Sequence, residues 1–148
     1  YIYNEAEKKV VECPKTNGYR IGTKYESGGA GCVSSVDDYI KFLEGIRTYK
    51  LLKKETVDLL ATNRITKEQR DMPSYWVKDK RGYGLGQQCP CEGDTKRPDF
   101  GWGGAACAYY FVDRTRNVTA YFGTHVLGYG AFSERRPVIV EIIQNILT

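Results

Sequence analysis

Two apolar and aromatic runs, Ala105 to Val112 and Val118 to Val126, are separated only by Asp113-Arg114-Thr115-Arg116-Asn117. A polar, Asn-containing linker of that length between β-prone runs predicts an antiparallel hairpin. A hairpin is not stable by itself and needs further strands or a helix to cover its apolar face. Ser133 to Thr148 meets that need, with Val138, Ile139, Ile142, Ile143, Ile146 and Leu147 at helical spacing and Pro137 expected in the opening turn.

The chain before the hairpin supplies more pieces. Tyr1 to Val11 reads as strand, polar turn and strand, and Pro14 to Gly22 as an extended loop. Gly28-Gly29-Ala30-Gly31 can take positive φ and leads into a capped helix, with Ser35 as N-cap, Asp37 and Asp38 in the first turn, and Val36, Tyr39, Ile40, Leu43 and Ile46 on one face. Lys53 to Leu60 is a second helix, with Val57, Leu60 and Ala61 as its apolar stripe and Thr62-Asn63 at its end. Thr66 to Asp79 has no clean period and reads as loop. Gly82 to Gly86 reads as a short strand and Cys89 to Asp99 as a surface loop. The fold class is therefore α+β: an antiparallel sheet, a packed C-terminal helix and two further helices.

Composition sets the outer bounds. With 148 residues, 41% hydrophobic and 27% charged, the chain can bury one core, and residues 1–148 read as a single unit. No apolar run reaches the roughly 20 residues of a membrane-spanning helix. The net charge of +4 is scattered among acidic neighbours rather than gathered in a stripe, which argues against nucleic-acid binding. Cys13, Cys32, Cys89, Cys91 and Cys107 are odd in number and lack a framework spacing, so they read as thiols of a reducing or anaerobic setting. No secretory signal opens the sequence, and a start inside a strand pattern is compatible with a cytoplasmic or an exported parent.

Most candidate chemistry dissolves under inspection. His125 is the only histidine, which excludes a multi-histidine metal site and leaves a serine triad unsupported. Cys89-Pro90-Cys91 lacks a second pair for metal binding, so neither metal nor cofactor is implied. Asn117-Val118-Thr119 fits a glycosylation acceptor but sits where a hairpin turn wants asparagine. Tyr109, Tyr110, Phe111, Tyr121 and Phe122 alternate along strands and read as core rather than as a ligand platform. Trp102-Gly103-Gly104, taken alone, lets a strand begin tightly and fills a core.

The order of blocks says more than any block. Glu26-Ser27-Gly28-Gly29-Ala30-Gly31-Cys32-Val33-Ser34-Ser35-Val36-Asp37-Asp38-Tyr39 precedes Leu51-Leu52-Lys53-Lys54-Glu55-Thr56-Val57, then Tyr83-Gly84-Leu85-Gly86, then Gly101 to Asp113 and the terminal helix. This succession resembles the C-terminal portion of the penicillin-recognising serine hydrolases, notably the bacterial branch of class C β-lactamases, D-alanyl-D-alanine peptidases and related esterases. The resemblance implies an incomplete β-lactamase/transpeptidase-like fold, a C-terminal fragment whose parent acts by acyl transfer from a β-lactam, peptide or ester to water. Trp102-Gly103-Gly104 stands in the place of the family's K-T-G, edging the substrate, and Ala105 supplies one backbone N–H of the oxyanion hole. Losing the lysine and threonine of K-T-G counts against carboxylate recognition and strong β-lactam turnover. Gly29 and Ala30 fall at the rim of the cleft.

The serine of S-x-x-K and the tyrosine of Y-x-N are absent: none of Ser27, Ser34, Ser35, Ser74 and Ser133 has lysine three residues later, and no tyrosine or serine has asparagine two later. The chain alone should therefore be inactive. Its expected partners are the missing N-terminal part of the same fold and, in the parent, a small acyl substrate. Without that covering part it should self-associate, and the alternative reading is a non-catalytic ligand-binding or assembly module derived from the fold.

Overall fold

The computed structural model describes residues 1–13, 24–25, 27–29, 31–73 and 80–146. The expected loop at Pro14 to Gly22, Ala30, part of the Thr66 to Asp79 stretch, and Leu147 lie outside the described residues.

The hairpin is present, in a larger sheet. Strands β3 (Gly82–Tyr83), β4 (Gln88–Cys89), β5 (Phe100–Gly104), β6 (Ala108–Asp113) and β7 (Val118–Gly123) lie in sequential order, all antiparallel. Asn117 turns the β6–β7 corner at φ 57°, the left-handed conformation that asparagine tolerates. The expected strand from Ala105 divides: Ala105, Ala106 and Cys107 form a turn, closed by Cys107 N–H to the Gly104 carbonyl at 3.1 Å, and β6 starts at Ala108. At the other end β7 stops at Gly123 rather than Val126. A separate hairpin of β1 (Ile2–Asn4) and β2 (Lys9–Val11) matches the expected pair and joins the rest through Tyr3 N–H to the Leu127 carbonyl at 2.8 Å.

Alternation along the strands assigns two cores. Tyr109 and Phe111 point to one face with Val118, Ala120 and Cys107, where Phe132 and Val140 of α4 (Ala131–Ile146) cover them. Phe100 and Val112 point to the other, against Leu43 and Ile46 of α1 (Val36–Arg47) and Val57 of α2 (Lys54–Ala61). The two middle helices thus lie on the sheet face opposite the terminal helix. Each buried Phe, Leu or Val contributes on the order of 1.5–3 kcal/mol.

Local chemistry accounts for the helix ends. Ser35 Oγ accepts the Asp38 N–H at 3.2 Å and donates to the Asp38 carboxylate at 3.0 Å, closing the expected cap. Val36, expected in the buried stripe, is exposed because it opens the helix before the sheet is reached. A short helix α3 (Lys67–Asp71) replaces part of the expected loop, held by a reciprocal capping box between Thr66 and Gln69.

The terminal helix corrects two expectations. It begins at Ala131, so Pro137 lies in its second turn rather than its opening one. Its buried face is Phe132, Val140 and Gln144, while Val138, Ile142 and Ile146 of the expected stripe are exposed. Gln144 goes inward because its Nε2 donates to the buried Asp113 carboxylate at 2.7 Å.

Candidate active site

Strand β5 brings Trp102, Gly103 and Gly104 together, and the following turn places Ala105 beside them. On one side β5 pairs with β6 throughout, from Phe100↔Val112 to Gly104↔Ala108. On the other side β4 pairs with it only at Gln88↔Gly101. Beyond Gly101 no strand of the described residues covers that side. Successive residues of an antiparallel strand direct their N–H and C=O to opposite sides, so part of Trp102–Gly104 offers backbone groups to the open edge.

The three glycines of the strand differ in cause. A Cβ on Gly101 would strike the Tyr110 carbonyl, so this glycine is demanded by the sheet. A Cβ on Gly103 would stand 3.1 Å from the Arg136 guanidinium, which is stacked 4.7 Å over the Tyr109 ring beneath α4. Gly104 alone has room, since a Cβ there would meet only Ala108 Cβ at 3.7 Å. Gly104 and Ala105 are exposed, and no backbone hydrogen bond of the described turns and loops engages the Ala105 N–H.

Trp102 lies on the α1 face, half-buried, with Tyr83 packed edge-on at 5.6 Å. Tyr110 is its cross-strand partner, and Tyr39 of α1 meets the Tyr110 ring at 5.6 Å and the Tyr121 ring at 5.5 Å. Tyr110 and Tyr121, expected as core, are half-buried members of an aromatic row beside the open edge, to which Tyr39 and Tyr83 are brought only by the fold. Tyr110 donates to Gln87 Oε1 at 2.9 Å. Burial, reinforced by Tyr39, pushes its phenol well up, and burial also raises that of Tyr39, so neither is tuned to act as a base near neutral pH.

The glycine loop behaves differently from expectation. Gly28, Gly29 and Gly31 are not among the left-handed glycines, which among the described residues are Gly86, Gly93 and Gly128. Gly31 is needed for close approach, its N–H donating to the Ser27 carbonyl at 2.8 Å where a Cβ would clash. Gly29 is exposed, and a Cβ there would meet nothing within 4 Å. No hydrogen bond among the described residues ties this turn to β5. Ala30 lies outside the described residues.

Other sequence candidates resolve into structure. His125 is exposed in the left-handed region after β7. Asn117 Oδ1 accepts from Arg47 at 3.0 Å and Thr119 Oγ1 donates to Glu44 at 2.8 Å, so both polar ends of the N-x-T sequence serve the junction of hairpin and helix. Among the described residues, no three His, Cys, Asp or Glu side chains are grouped to hold a metal, and no helix is long and apolar enough to cross a membrane.

No family model matches the chain, and no curated protein matches it in sequence. Among solved structures it is similar to the LovD6 mutant of simvastatin synthase (LovD) from Aspergillus terreus, with a TM-score of 0.65 and 20% identity over 81% of this chain. The chain spans 35% of that protein's length. The likeness is one of fold, and the fold is β-lactamase-like.

Proposed function

We propose that residues 1–148 are the C-terminal part of a β-lactamase-fold serine hydrolase that transfers an acyl group to water. The observation that carries this reading is the half-open edge of β5, ending in the exposed Gly104–Ala105 pair. A substrate carbonyl and its flanking ester or amide can lie alongside Trp102–Gly104 as an added strand would, with the Ala105 N–H donating to the oxyanion as it forms. The serine, its lysine and a tyrosine would come from the remainder of the protein, because burial raises the phenols of Tyr39 and Tyr110 beside the open edge, Ser35 caps α1 and Ser34 donates to a backbone carbonyl.

Hydrolysis of short aryl esters and of a chromogenic β-lactam, by the complete reading-frame product and by the chain alone, tests this. Activity is expected in the complete product only, abolished by replacing the serine of its S-x-x-K. Ala105→Pro, which deletes the N–H, should lower its kcat by about 10²–10³ with KM little changed. A complete product that binds such esters without cleaving them would replace this reading with that of a non-catalytic module.

A further inference from the structure

Strand β4 gives out just before the open edge of β5 begins. Its Gln88 pairs with Gly101, so in antiparallel register Gln87 falls opposite Trp102, where the pairing with β4 has ended. The chain turns away there: Gly86 has φ 74°, and Gly84 N–H donates to the Gln87 carbonyl at 2.9 Å. Gly84 also lies so close to the Leu60 carbonyl of α2 that a Cβ would strike it, which ties the turn to the helix. Gln87 is thereby held at the head of the groove that a substrate would fill along Gly103 and Gly104, in line with β4.

Its side chain is oriented as well. Tyr110 Oη donates to Gln87 Oε1 at 2.9 Å, and burial keeps that phenol in its protonated, donating form. A primary amide whose oxygen is so held presents its two N–H bonds away from the tyrosine, and Gln87 Nε2 has no hydrogen-bond partner among the described residues. Gln87 is half-buried, so water competes less for a bond made there than on an open surface. Three residue steps separate Trp102 from Ala105, about 10 Å of strand. In acyl transfer the acyl group stays on the enzyme through both covalent steps, whereas the leaving group departs after the first, so contacts to the acyl group serve the whole reaction.

We infer that Gln87 selects the acyl group: its Nε2 donates to an acceptor oxygen carried about 10 Å from the carbonyl under attack, favouring long acyl chains with a polar end over purely apolar ones. The inference rests on the hydrolase reading and names the substrate class of that same site.

The complete reading-frame product tests it with two esters of equal chain length, p-nitrophenyl ω-acetamidohexanoate, whose amide oxygen lies at about that distance, and p-nitrophenyl nonanoate, which has no acceptor there. The ratio of kcat/KM for the first over the second should fall about fivefold in Gln87→Glu, mainly through KM. Glutamate keeps an acceptor for Tyr110 and loses the donor, so a merely structural role would leave the ratio where it is. The ω-aminohexanoate ester, which offers an ammonium instead, should gain on the nonanoate in the same variant. Urea unfolding checks that the variant is folded; if it is not, Tyr110→Phe, which releases the amide, should lower the first ratio about twofold. A product that hydrolyses both esters through its S-x-x-K serine, at a ratio that neither variant changes, overturns the role of Gln87 and leaves the hydrolase reading standing. A product that hydrolyses neither ester ends that reading, and this inference with it.

Discussion

Cys89 and Cys91 stand two residues apart and are chemically unlike. Cys89 is 2% exposed among Leu43, Val57 and Phe100, and burial, followed by the nearness of Cys91, pushes its thiol up to about 11. Cys91 is only partly buried; its sulfur accepts from Arg70 Nη1 at 2.8 Å and donates to the Lys80 carbonyl at 3.5 Å. The thiolate is the reactive form, and at pH 8 a thiol with that value is ionised to roughly one part in a thousand. Cys32, which is exposed, and Cys91 should therefore react with a disulfide reagent at pH 8 before Cys89, which should wait for unfolding. Mass spectrometry of partly labelled native protein checks the order, and early modification of Cys89 would contradict its burial. The C-P-C spelling alone carried none of this, because which cysteine enters the core depends on where β4 ends.

At the scale of elements, one carboxylate of α1 gathers partners from both the helix and the β6–β7 hairpin. Glu44 accepts from Arg47 Nε at 2.9 Å, Arg47 Nη2 at 2.8 Å and Thr119 Oγ1 at 2.8 Å. The Arg47 hydrogen bonds hold its carboxyl below the usual 4.5, outweighing burial, with Thr119 assisting. A carboxylate whose folded value is depressed stabilises the fold above its unfolded value and loses that contribution as pH falls through the folded one. Glu44→Gln should thus lower stability at pH 7 by about 0.5–1 kcal/mol for a partly exposed pair, and the gap from wild type should close as pH falls from about 5 towards 3. Urea unfolding at several pH values measures this; a gap constant down to pH 3 would exclude an ionised Glu44 as the cause. The helix itself was legible from Ser35, the paired aspartates and the spacing of Leu43 and Ile46, because cap and stripe are local. The short helix α3 was written equally locally, in Thr66-x-x-Gln69, but lacks an apolar stripe to draw attention to it. Strand β5 was harder to separate: its glycines answer to Tyr110 and Arg136, partners that only the folded sheet brings near. The open side of Trp102–Gly104 was likewise beyond local reading, since it follows from the shortness of β4.

At the scale of the whole molecule, the terminal helix carries apolar residues on two sides. Phe132 and Val140 bury one side against Tyr109 and Phe111, while Val138, Ile142 and Ile146, spaced by four residues, remain 55%, 52% and 75% exposed. The sequence pattern could not choose between these sides, because the inward position of Gln144 depends on a hydrogen bond to Asp113 made across the fold. An exposed stripe of this kind is stabilised by any apolar surface that covers it, and in a solution of the chain alone the available surface is another copy. The chain should therefore self-associate, with a weight-average mass by sedimentation or light scattering that rises with concentration above 16.8 kDa. Ile142→Asp should shift that equilibrium towards monomer while changing the unfolding free energy by no more than about 0.5–1 kcal/mol, since the side chain already faces solvent. A wild-type chain that stays monomeric at high concentration would mean that the stripe is too narrow to drive association. Association unaffected by Ile142→Asp would move the contact to another surface, of which the open edge of β5 is the first to test by Gly104→Pro.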